Sequence, residues 1–169
     1  MIAQSFGVNY PQKVERLVIS DSFGELNTFP EKLLGFSAIL GFHLFRIFGK
    51  KALVKGMNAT YQTPYAKVAQ AYFAQVSQTL DLQQVILARK AINQVAVLEQ
   101  LSTVSLPVLV LVGEDFGQTF IDINRKIADA LPQAEFVILD QAMDPSNLVN
   151  PTAFNQQVLR FLAQVVQPA

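Results

Sequence analysis

The chain has 169 residues, 51% hydrophobic and 15% charged, which fits one globular domain with a sizeable core and excludes a disordered chain. Thirteen basic and thirteen acidic residues cancel and form no like-charged block, so neither nucleic acid nor an anionic membrane surface is an expected partner. Cysteine is absent, which excludes disulfides, thiolate metal sites and a cysteine nucleophile.

Met1 to Phe6 carries no basic segment ahead of an apolar run, so no signal peptide is expected. The longest apolar stretch, Leu33 to Phe45, contains Gly, Ser and His and is shorter than the roughly 20 residues a membrane span needs. A cytoplasmic location is the expectation.

Ile2, Ala3, Phe6 and Tyr10 recur at helical spacing, and Tyr10-Pro11 ends that helix. Leu17-Val18-Ile19, with Val14, reads as a buried strand closed by Ser20-Asp21-Ser22. From Asn27 to about Leu101 the pattern is helical. Asn27 or Thr28 caps a helix entered at Pro30 and running through Leu33, Leu34, Phe36 and Leu40. Thr63-Pro64 opens a second, with Tyr65, Val68, Ala69, Tyr72, Phe73 and Val76 on one face. A third runs from about Asp81 through Val85, Ile86, Arg89 and Ile92.

Strand character returns at Pro107 to Val112 and stops at Gly113. The following helix turns Phe120, Ile123, Ile127 and Leu131 inward, with Asp122, Arg125, Lys126 and Asp129 outward. Phe136 to Leu139 is the next strand. Asn150-Pro151 opens a last helix through Phe154, Val158, Phe161 and Val165. Strands alternating with helices predict an α/β fold: about three parallel strands flanked by helices. The helical block 27–101 is too large for an ordinary crossover and reads as an all-helical cap inserted into a single domain spanning 1–169.

Three separated segments resemble the α/β-hydrolase superfamily, in particular its cap-bearing esterases, haloperoxidase-like enzymes and C–C-bond hydrolases. Met1 to Phe6 with Tyr10 to Ser22 looks like the helix and strand after the nucleophile elbow. Leu106 to Asp115 looks like the strand leading to the catalytic acid. Ala130-Leu131-Pro132, Phe136 to Leu139 and Asn147 to Phe154 look like the last strand, the histidine loop and the final helix. The resemblance implies a partial α/β-hydrolase fold over essentially the whole chain.

It also implies where a Ser-His-acid triad would lie. The nucleophile belongs to G-x-S-x-G on a strand-to-helix turn, and the first residue here already falls in the helix after it. The acid position, three residues past Gly113, holds Phe116; Asp115 is adjacent, and relatives with the acid after the earlier strand nominate Asp21 or Glu25. The histidine position holds Asp144, whose carboxyl, ordinarily titrating near 3.9, needs a large shift to shuttle protons as imidazole does. The one histidine, His43, lies in the cap. A catalytically degenerate chain is therefore expected, as a remnant, a late start or one piece of a split protein. An ester hydrolase completed by an N-terminal half, and a non-catalytic binder of an apolar small molecule, are the alternatives.

Phe36, Leu40, Phe42 and His43 could line an apolar ligand cleft between cap and sheet, or simply pack the cap. Glu114-Asp115 and Asp140 with Asp144 are explained by turn chemistry, so no metal and no cofactor is expected. The Val14–Ser20 strand would present an open edge, predicting self-association or a complementing N-terminal chain.

Overall fold

A computed structural model describes residues 1–164. Helix α1 (Ile2–Asn9) leads through a short 3-10 turn to strand β1 (Leu17–Ser20). A helical segment follows: α2 (Phe29–Phe48), α3 (Lys50–Thr60), α4 (Lys67–Val76), α5 (Leu82–Asn93) and α6 (Leu98–Leu101). Strand β2 (Val108–Gly113), helix α7 (Gln118–Ala130), strand β3 (Ala134–Leu139), the short α8 (Ser146–Val149) and α9 (Pro151–Ala163) complete the fold. Val165, expected in the last helix, lies outside the described residues.

The three strands form one parallel sheet in the order β1-β2-β3. All six residues of β2 are buried, as an uninterrupted Val/Leu run between two covered faces requires. On one face Leu109, Leu111 and Leu139 pack with Phe161 of α9. On the other, Val108, Val110 and Val112 meet Ile127 and Phe120 of α7. Gly113 ends β2 because a Cβ there would lie 2.5 Å from the Ala142 carbonyl.

β1 is an edge strand. Leu17 and Asp21 turn their N–H groups to β2, at Pro107 and Leu111, so strand alternation points those of Val18 and Ser20 away from it. No second strand pairs with that edge among the described residues.

The helix expected from Ile2, Ala3, Phe6 and Tyr10 is present as α1, with Ile2, Phe6 and Tyr10 exposed and Gln4 and Gly7 buried. Close approach sets the orientation: a Cβ on Gly7 would stand 3.2 Å from Leu17 Cδ2, so the glycine side faces the strand. The first helix of the long segment also runs past Leu40 to Phe48, ending at Gly49 with φ +83°. Its N-terminus is fixed by Glu31, whose carboxylate accepts the N–H groups of Asn27 and Thr28 at 2.9 and 3.0 Å and pairs with Lys126 of α7. No helix among the described residues is long and apolar enough to cross a membrane.

Candidate functional site

The carboxyl ends of parallel strands are where open α/β folds place their ligands, and here three such ends converge. Asp21 follows β1 with φ +45°, a left-handed conformation that Asp tolerates better than most residues. Its Oδ1 accepts Gly113 N–H at 3.0 Å and the Ser146 hydroxyl at 2.9 Å. Its Oδ2 accepts Ser146 N–H at 2.7 Å and the Ser20 hydroxyl at 3.0 Å. One carboxylate thus ties the end of β1 to the end of β2 and to the loop after β3.

Asp144 is on that loop, partly buried. Burial first, and then the charge of Asp21, push its carboxyl up to about 7, against the opposing pull of Arg89. The Asp144 backbone carbonyl accepts the Tyr61 hydroxyl at 2.8 Å. The Tyr61 phenol is raised well above its usual range by burial, and further by Asp144 and Asp21.

Between this loop, α2 and α5 lies a cleft of about 310 Å³, walled by Phe23, Leu34, Ala38, Phe42 and Phe116 with Ser37, Arg89 and Asp144 as its polar groups. Phe116 is held against Phe120, ring centroids 5.0 Å apart, and Phe120 against Phe23 at 5.3 Å. The Arg89 guanidinium sits 4.5 Å from the Phe23 ring centroid, and burial lowers its affinity for the proton, with Asp144 opposing. Its buried Nε has no hydrogen-bond partner among the described residues.

Not every expected site residue is brought here. Asp115 is not on the cleft wall; it accepts the Tyr65 hydroxyl while its N–H donates to Ala142 O at 2.9 Å. Glu25 forms an isolated antiparallel bridge with Ala96. Glu114 takes Gln141 N–H at 2.8 Å, a turn contact. Of the four α2 residues considered for a cleft, Phe42 is on its wall; Phe36 and Leu40 are exposed on the opposite side of the helix, and His43 is not part of the lining. Among the described residues no three His, Asp or Glu side chains group as a metal site.

Arg89 and Ser146 were not singled out as site residues from the sequence. Arg89 did leave a signal, a cation inside the apolar run Val85, Ile86, Ile92. Ser146 left none, because its partner Asp21 lies 125 positions away in the chain.

The fold has close counterparts among solved structures. The chain is similar to a putative non-heme bromoperoxidase from Mycobacterium tuberculosis H37Rv, at 18% identity and TM-score 0.72, over 96% of this chain and 62% of that one. An α/β-hydrolase enzyme from a Medee basin deep-sea metagenome matches at 18% identity and TM-score 0.76, over 99% and 63%. An esterase from Exiguobacterium antarcticum matches at 12% and 0.76, over 96% and 63%. The chain spans under two thirds of the length of these structures, and at such identities they show its fold: a partial α/β-hydrolase fold. No family model and no curated protein matches the sequence.

Proposed function

We propose that this chain is an α/β-hydrolase-fold protein that does not run Ser-His-acid chemistry, and that its cleft holds an apolar small molecule. The observation that carries this reading is Asp144, a carboxylic acid at the position where the resemblance puts the catalytic histidine. A neutral imidazole takes a proton from a serine and donates it to the leaving group. Asp144 instead stands beside the fully hydrogen-bonded Asp21, an arrangement of two acids with no imidazole between them. Phe116 at the acid position adds an apolar wall to the cleft and no charge. His43, in α2, does not line it. In this reading the helical segment 27–101 acts as a cap over the strand ends, and the open edge at Val14–Ser20 pairs with a second copy or a complementing chain.

Labelling with a fluorophosphonate, which modifies activated serines, tests the proposal through intact mass. An unchanged mass is expected. A stoichiometric adduct on any serine of the folded chain would overturn it.

One observation favours a second reading, a hydrolase of small apolar esters completed by a segment outside this sequence. With its carboxyl pushed up to about 7, Asp144 titrates where imidazole does and could accept a nucleophile's proton. Addition of a complementing N-terminal segment should then give ester hydrolysis that Asp144→Asn abolishes. Hydrolysis indifferent to that substitution removes Asp144 from the chemistry.

A further inference from the structure

The cleft is not simply greasy. Arg89 brings a cation to its wall with a buried donor left open, and the ion pairs found among the described residues, Glu31–Lys126 and Glu135–Arg160, do not include it. Arg89 is half-buried, its buried Nε–H has no acceptor among the described residues, and a planar two-oxygen anion fits the guanidinium's donor geometry best. We propose that the cleft binds a small amphipathic carboxylate, its carboxylate on Arg89 and its hydrocarbon body against Leu34, Ala38, Phe42 and Phe116. This rests on the reading of the cleft as a binding site and names the class of its ligand.

The remaining polar groups agree with that polarity. Asp144 shares the wall with Arg89, and below about pH 7 its carboxyl is protonated and able to donate a hydrogen bond to an anion. Asp21, which also faces Asp144, has its oxygens occupied by Gly113, Ser146 and Ser20, and Tyr61 presents its hydroxyl to the Asp144 carbonyl. Arg89 is left as the group that sets the sign of the ligand.

Straight-chain carboxylates from butanoate to octanoate, each against its amide, provide the probe, with binding followed by calorimetry and thermal shift at pH 6. At least one acid should bind about tenfold or more tightly than its amide. Arg89→Gln should erase the difference between acid and amide; Arg89→Lys, which keeps the charge, should restore part of it. Equal binding of acid and amide, acid binding unchanged in Arg89→Gln, or no acid bound at about 10 mM would each overturn the proposal. Ester turnover assayed on the same samples separates this from the reading it rests on: hydrolysis would sink that reading whatever the acid-to-amide ratio.

Discussion

The carboxylate of Asp21 accepts both the backbone N–H and the hydroxyl of Ser146, at 2.7 and 2.9 Å, across 125 positions of sequence. Since Asp21 also takes the N–H of Gly113, the two residues fasten all three strand ends together. Asp21→Ala leaves those buried donors without an acceptor and should cost about 2–4 kcal/mol in urea denaturation. Ser146→Ala removes one bond and should cost about 1 kcal/mol. Equal costs for the two would mean that the hydroxyl, not the carboxylate, organises the junction.

Asp144 makes stability pH-dependent. Its folded carboxyl titrates at about 7 and its unfolded one at 3.8, so between those values the folded chain binds the extra proton. Its contribution is complete below about pH 4 and is lost as the pH rises through 7. Asp144→Asn, which cannot ionise, should gain on the order of 1–3 kcal/mol over wild type at pH 8 and little at pH 4. Melting curves at the two pH values measure this, and a constant difference between them would contradict the assignment.

Glu31 has the opposite sign. Burial alone would raise its carboxyl, but Lys126 and the N–H groups of Thr28 and Asn27 hold it below its ordinary 4.5. Its contribution is therefore present above that value and lost as the pH falls below it. Lys126→Met, leaving Glu31 buried without its cation, should destabilise by about 1–3 kcal/mol at pH 7 and by less at pH 3.

Most of the sheet was legible because its signals are local. The Val/Leu run before Gly113 could only be a doubly covered strand, and the α7 periodicity separated Phe120, Ile123 and Ile127 from Asp122, Arg125 and Asp129 as observed. Asn150 was readable as a helix cap, and its Oδ1 does accept Ala153 N–H at 3.2 Å. The face that α1 buries has no local signal of this kind, because a glycine's close approach to Leu17 sets it. In the site, the resemblance drew attention to Asp144 and Phe116, which both line the cleft, whereas the Asp144 titration depends on Asp21 and Arg89 from distant elements and no spacing rule reports it. The outward face of α2 was misread for a related reason: an apolar stripe does not say which partner covers it.

Gly113→Ala tests how closely the loop after β3 is laid over β2. The added methyl would meet Ala142 backbone atoms at 2.5 Å, which no side-chain motion relieves. A loss of more than about 2 kcal/mol is expected, with the cleft loop displaced. Wild-type stability in this variant would show that the loop is free to move away from the strand.

The resemblance puts Asp144 at the position of a hydrolase's base, and turnover of p-nitrophenyl butanoate by the purified chain at pH 7 to 8 is the direct measure. The predicted rate equals that of buffer and of the Asp144→Asn variant. Turnover above buffer that purifies with the folded chain and disappears in Asp144→Asn would contradict the account.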